Sequence, residues 1–203
     1  MSKGETYTRA EFVDKYGSFI HKVIRGTGIF AGTLIAQAVL ESSGKDQYGN
    51  WKVGGSKLSR ESNNFFGIKD SAGWKGKTYN IDTGEVIGGN KVTVNADFRA
   101  YNSVKDSIKD YVDFLKSNPR YSNAGVFTAT DVKEQAKRLK QAGYATAPNY
   151  ADTVNQIYNS IKPNVDKSYI KYKRERTTKI IVYSSIYVGL LIVGFLAIRK
   201  QNK

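Results

Sequence analysis

Cysteine is absent from the 203 residues, and histidine occurs once, at position 21. Without thiols there is no disulfide framework and no thiolate metal site. A single imidazole excludes histidine-pair metal motifs, and a serine-histidine triad would need His21 itself. His21 lies between Phe19-Ile20 and Val23-Ile24 in a helical pattern, so a packing role is expected for it, with no metal and no cofactor. The opening residues Met1-Ser2-Lys3-Gly4-Glu5-Thr6 hold no apolar run, and no cleavable signal peptide is expected there. The chemistry is left to carboxylates and tyrosines, of which the chain has 18 and 14.

The net charge of +14 is uneven. Residues 1–161 hold 22 Lys/Arg and 16 Asp/Glu, and residues 162–203 hold 10 and 2, so more than half of the excess sits in the tail. The basic run Lys171-Tyr172-Lys173-Arg174-Glu175-Arg176 abuts an apolar segment instead of lining a folded face, which argues against nucleic acid as a partner. Ile180 to Ile198 is nineteen residues without a charge. As a helix it would extend roughly 28 Å, close to the thickness of a bilayer core, and a transmembrane helix is expected. Lys179 and Arg199-Lys200 close its ends, and Tyr183 and Tyr187 lie toward one interface. The expected organisation is a catalytic domain over 1–161, a basic linker over 162–179 and a membrane helix over 180–198. Lys/Arg at 167, 171, 173, 174, 176 and 179 precede the span and 199, 200 and 203 follow it, a bias that would leave the domain in the cytoplasm.

Residues 1–161 read as mainly helical. Thr8-x-x-Glu11 is a capping box, followed by an apolar face of Phe12, Tyr16, Phe19, Ile20 and Val23. Further helices are expected from about Phe30 to Ser42, from Ser103 to before Pro119, from Thr130 to Ala142 and from Asn149 to Ile161. Between residues 77 and 99 the period changes. Val92, Val94, Ala96 and Phe98 alternate with polar residues, and Asp82-Thr83-Gly84 and Gly88-Gly89-Asn90 supply turn signals. The fold class is therefore mainly α, α+β, with a β-hairpin lobe inserted in a helical domain.

In the second helix, Leu34, Ile35, Ala38 and Val39 recur at helical spacing and Glu41 follows on or beside the same face. A carboxylate so placed is partly desolvated, its pKa rises, and it becomes able to donate a proton near neutral pH. A solvated glutamate in a last helical turn fits the local pattern as well. The blocks that follow are Glu61-Ser62-Asn63-Asn64-Phe65-Phe66-Gly67-Ile68-Lys69, Trp74-Lys75-Gly76-Lys77-Thr78 and Ala142-Gly143-Tyr144-Ala145-Thr146-Ala147-Pro148-Asn149-Tyr150-Ala151. With Glu41, their order and wording over residues 8–161 resemble the bacterial glucosaminidases of glycoside hydrolase family 73.

The resemblance implies a lysozyme-like domain that cleaves peptidoglycan glycan strands after N-acetylglucosamine, with Glu41 as general acid. It also implies a second carboxylate from the hairpin lobe, eleven residues after Trp74, which is Glu85; Gly84 interrupts the usual threonine run and keeps Asp82 as the alternative. By the same carry-over Tyr144 lies beside the scissile bond, and Asn64, Phe66 and Gly67 shape the glycan cleft. Trp74 and Trp51 are candidate sugar platforms, and Tyr150 frames the last motif while also fitting a helix face. Ala147 replaces the family's usual aspartate, so any role of that carboxylate is lost. A muramidase or lytic transglycosylase and a non-catalytic wall-binding protein are the competing readings. The protein is expected to act on the bacterial wall as a membrane-anchored monomer, and a bacteriophage enzyme held inside until lysis would satisfy the charge bias.

Overall fold

Thr8 and Glu11 cap each other: the Glu11 amide donates to the Thr8 hydroxyl at 3.2 Å and the Thr8 amide to the Glu11 carboxylate at 2.7 Å. This opens α1 (Arg9–Val23) as the capping box encodes. The computed structural model describes the backbone of residues 4–201 apart from 47, 88 and 89, and their side chains except those of 85–91, 185 and 187–201. After α1 come α2 (Ala31–Ser42), the two-residue strands β1 (Gly44–Lys45) and β2 (Trp51–Lys52), and α3 (Lys57–Ser62). The long strands β3 (Lys77–Ile87) and β4 (Asn90–Ala100) precede α4 (Val104–Ser117), α5 (Pro119–Asn123), a 3-10 turn at Val126–Thr128, α6 (Val132–Gln141) and α7 (Tyr150–Gln201).

The first half of α7 is the central strut, packed against α1, α2 and α6. Phe12, Ile20, Leu34, Ile35, Ile108, Leu115, Leu139 and Val154 close the core around it, each fully buried. The helical spacings of α1, α4 and α6 come from one-sided burial, whereas α2 is buried nearly all round. Ser103 and Asp131 cap α4 and α6 by accepting from the Asp106 and Glu134 amides.

The hairpin differs from its expected form. Asp82-Thr83-Gly84 is not a turn: all three lie within β3, paired to Asn95, Val94 and Thr93. The apolar alternation of β4 offers an unbroken partner, and a Cβ at Gly84 would meet nothing within 4 Å, so the turn residues are drawn into one straight ladder. Position 85 pairs with Val92. The expected turn at Gly88-Gly89 lies outside the described residues.

The last helix also departs from expectation. It does not end at Ile161: residues 162–179 are helical and Pro163 is inside the helix. A mid-helix proline costs about 3 kcal/mol, and here the turns beyond it pack on α1. Val165 and Ser168 are buried, and a Cβ at Gly17 would come within 2.5 Å of the Ser168 Cβ, so glycine lets α1 and α7 approach. His21 joins this seam, 3.1 Å from the Ser168 hydroxyl and against the rings of Tyr169 and Tyr172. Its burial lowers its pKa, and its role is packing.

Among the described residues no helix is long and apolar enough to cross a membrane. The span expected over 180–198 falls on the end of α7, where the side chains at 185 and 187–198 lie outside the described residues.

Candidate active site

The last turn of α2 is fixed from several sides. The Ser42 and Ser43 hydroxyls donate to the Ala38 and Val39 carbonyls, Gly54 N–H donates to the Ser42 hydroxyl at 2.9 Å, and Ser56 N–H donates to the Ser42 carbonyl at 2.9 Å. The carbonyls a helix end leaves orphaned are thus partly satisfied by its own serines and the following loop. Glu41 stands in this turn, half-buried, and among the described residues no hydrogen bond reaches its carboxylate. Desolvation alone raises its pKa to about 7. Of the two local readings open in the sequence, the half-buried position of Glu41 fits the partly desolvated carboxyl.

Three tyrosines from separate elements surround it electrostatically: Tyr111 of α4, Tyr144 of the loop before α7, and Tyr150 of α7. Burial, reinforced by neighbouring phenols and by the Glu41 charge, pushes all three hydroxyls well above their ordinary pKa, so they remain protonated. Tyr144 donates to the Phe66 carbonyl at 2.9 Å. Gln37, one turn before Glu41 and fully buried, donates to the Tyr150 hydroxyl at 2.7 Å and accepts from Tyr111. Tyr111 stacks on Phe66 at 4.1 Å between centroids and meets Tyr144 edge-on at 5.9 Å. The arrangement sets neutral phenols around one protonatable carboxyl, with the Tyr111 and Tyr144 protons spent on Gln37 and the Phe66 carbonyl.

The remaining expected residues divide. Tyr150 is 3% exposed and serves the cage through Gln37. Phe66 is as buried as Phe65 and acts as the stacking floor under Tyr111. Asn64 is buried with its amide fully used: it donates to the Ile68 and Arg99 carbonyls at 2.9 and 2.8 Å and accepts from the Phe66 and Ile68 amides. It shapes the loop beneath the site and has no donor left for a ligand. Gly67 adopts φ +64 with open space where a side chain would be. Trp74 is half-buried; its indole N–H donates to the Lys77 carbonyl at 3.0 Å and the Arg99 guanidinium lies 4.6 Å from its ring centre.

Glu85 is on β3, with its side chain outside the described residues, and Asp82 is exposed. The Asp82 carboxylate accepts from Asn95 across the hairpin at 2.8 Å. Trp51 is 69% exposed beside a groove of about 620 Å³ that Leu40 and Ser43 also line, without Glu41. At about 100° per residue those two positions face away from position 41.

Gln37 and Tyr111 are the residues that sequence reasoning missed. Gln37 is a lone amide in the apolar stretch of α2, four residues from Glu41, and that is a legible signal. Tyr111 is hidden in an ordinary apolar helix face. Among the described residues no cluster of His, Cys, Asp and Glu could hold a metal ion.

Residues 17–163 match the model of the glucosaminidase family described as mannosyl-glycoprotein endo-beta-N-acetylglucosaminidase. The chain is 38% identical over 145 residues to the peptidoglycan hydrolase FlgJ of Escherichia coli K12, covering 70% of this chain and 43% of that one. It is 29% identical over 165 residues to the exo-glucosaminidase LytG of Bacillus subtilis, covering 76% and 55%. The chain thus spans about half the length of these relatives. Among solved structures, a peptidoglycan hydrolase mutant from Sphingomonas sp. A1 superposes with a TM-score of 0.62 at 29% identity, covering 79% of this chain and 99% of that chain. The catalytic domain of the autolysin Auto from Listeria monocytogenes also gives 0.62, at 27% identity, with 81% and 90% covered. With that match extending over most of the chain and the caged carboxyl lying within it, the chain belongs to the glucosaminidase family.

Proposed function

We propose that this chain hydrolyses peptidoglycan glycan strands at the β-1,4 bond after N-acetylglucosamine, acting within the strand. The observation that carries this reading is the half-buried Glu41 carboxyl in the last turn of α2, one turn from the buried Gln37–Tyr111–Tyr150 network, where burial pushes its pKa up to about 7. Protonated, it donates to the glycosidic oxygen as the C–O bond breaks, and the departing sugar leaves as an alcohol. Glu85 from the hairpin is the second carboxylate, activating water or stabilising the oxocarbenium-like transition state. The exposed register of Asp82 and its bond to Asn95 favour Glu85 over it. Tyr144 borders the scissile bond, and Gly67 and Trp74 belong to the glycan cleft.

The names of the relatives support the substrate. FlgJ is a peptidoglycan hydrolase and LytG an exo-glucosaminidase. Mass spectrometry of digested sacculi tests the reaction. New reducing N-acetylglucosamine ends inside long strands fit the proposal, release of terminal sugars alone indicates exo action, and anhydromuramic ends identify a lytic transglycosylase. Binding to sacculi without release of fragments would identify a wall-binding protein.

The same reading places the enzyme, as a monomer, on a membrane through residues 180–198, nineteen uncharged and mostly apolar residues after a basic stretch. Resistance of the full chain to alkaline carbonate extraction is the expected result. Release into the supernatant would leave only a peripheral attachment.

A further inference from the structure

The segment joining α2 to α3 holds its aromatic side chains out on a fixed loop. The Asp46 carboxylate accepts from the Tyr48 and Asn50 amides, both at 2.9 Å, and the Asp46 amide donates to the Asn50 carbonyl at 2.8 Å. At the base of the loop a Cβ on Gly55 would lie 2.3 Å from the Gly44 carbonyl oxygen, so glycine lets the two arms close. Tyr7 and Val53 exchange backbone bonds at 3.0 and 2.9 Å, which docks β2 on the chain leading into α1 and brings Arg9 to the same groove as Trp51. Trp51 and Tyr48 remain 69% and 79% exposed. Tryptophan is mostly buried in folded proteins, so an indole held in solvent beside a groove marks a surface that something covers.

The groove, of about 620 Å³, runs between β2, the last turn of α2 and the first turns of α7. Val39, Val53 and Ile157 are buried and give it an apolar floor, while Arg9, Gln156 and Trp51 are exposed along it. The Arg9 guanidinium donates from Nη1 to the Ser160 hydroxyl at 3.1 Å, and among the described residues no carboxylate pairs with it. The Gln156 amide has no hydrogen-bond partner among the described residues. Beside the flat indole the groove thus offers an amide that both donates and accepts, and a guanidinium with donors to spare.

We propose that this groove is a second peptidoglycan-binding site, apart from the reacting carboxyl, which takes a muropeptide unit: a sugar ring lies on the Trp51 indole, its acetamido group meets the Gln156 amide, and a carboxylate of the peptide stem pairs with Arg9. The inference rests on the reading of peptidoglycan as the substrate. An apolar floor with one ring, one amide and one guanidinium suits a ligand that carries a sugar face, an amide and a carboxylate together. The guanidinium fork matches a carboxylate on two bonds, which a neutral glycan would leave unused. A layer of anionic lipid headgroups would call instead for a cluster of cations on an open face. Because a sacculus is a polymer, a unit held in the groove keeps the Glu41 site near further strands and raises the local concentration of bonds to cleave.

The chain has two tryptophans, so Trp74→Phe leaves Trp51 as its only indole reporter. The full chain carrying Glu41→Gln and Trp74→Phe is titrated with a soluble disaccharide-peptide monomer of peptidoglycan, and Trp51 emission is expected to shift to the blue and saturate. Arg9→Gln in that background is expected to raise the dissociation constant about tenfold, the loss of a charge-assisted pair. The peptide-free trimer of N-acetylglucosamine, which has no carboxylate, is expected to bind more weakly than the monomer and to ignore Arg9→Gln. On sacculi, Trp51→Ala added to Glu41→Gln is expected to lower the cosedimenting fraction severalfold. Arg9 and Trp51 are exposed, and each variant is expected to keep the circular dichroism of its parent. Emission unmoved by the monomer overturns the proposal, and so does an affinity that Arg9→Gln leaves unchanged. Emission that answers only to anionic phospholipid vesicles, or only to the concentration of the chain itself, overturns it by identifying a membrane or a second copy as the occupant. Failure of the hydrolase reading looks different: the monomer would still move Trp51 emission while the wild-type chain released no fragments from sacculi.

Discussion

The two carboxylates proposed for the reaction sit in opposite surroundings. Glu41 is on a rigid helix turn, enclosed by phenols from α4, α7 and the loop between α6 and α7, and packing sets its proton affinity. Glu85 is on a strand of a hairpin whose neighbouring positions alternate between half-buried and exposed, and whose described side-chain bonds are polar and cross-strand. A buried group acquires an unusual pKa from the body it is part of, whereas a group on a hairpin is held by the strand pairing that carries it. Burial in the helical body raises the Glu41 pKa, and cross-strand bonds hold the hairpin.

The sharpest break in this comparison is Glu41→Gln, which keeps the cage and removes the proton. Sacculus cleavage is expected to fall about a thousandfold, with folding intact by circular dichroism. Activity within a fewfold of wild type would remove Glu41 from the chemistry. Glu85→Gln is expected to cost about ten- to a hundredfold in the same assay and Asp82→Asn less than about twofold; the reverse order would move the second role to Asp82.

The pH dependence separates the lobes next. The acid form of Glu41 is populated below about 7, so the rate is expected to fall as pH rises through that value. Stability follows the same sign. A carboxyl whose folded pKa is raised from 4.5 to about 7 binds its proton more tightly in the native state, so stability is full below the unfolded value and declines as pH rises through 7. Glu41→Gln should accordingly melt higher than wild type at pH 8 and close to it at pH 4, by a difference of the order of 3 kcal/mol in stability. Equal melting shifts at both values would mean that Glu41 is solvated.

A smaller effect concerns the cage wall. Tyr144→Phe deletes the bond to the Phe66 carbonyl, and a rate loss of severalfold with a melting point lowered by a few degrees is expected. The α1–α7 seam makes one further comparison. A chain ending at Ile161 discards the buried Val165 and Ser168, so it is expected to melt well below one ending after Arg176, although both contain every site residue.

Local pattern reached far into this molecule because α1, α4 and α6 bury one face each and α2 is an almost wholly apolar, buried helix. The Thr8-x-x-Glu11 cap, the apolar run of α2, the end of α4 before Pro119 and the alternation of β4 are each decided by neighbours within a few residues. The position and partial burial of Glu41 were legible for the same reason. Tertiary structure decided what depends on contacts distant in sequence. It drew Asp82-Thr83-Gly84 into a strand by pairing them with Val94 and its neighbours, and it carried α7 through Pro163 by packing Ser168 on Gly17. It joined Gln37, Tyr111 and Tyr150 into one network across 113 positions, and turned Asn64 and Phe66 into supports of the site. Sequence spacing records which face a residue takes on its own element, and only the packing of elements determines what that face meets.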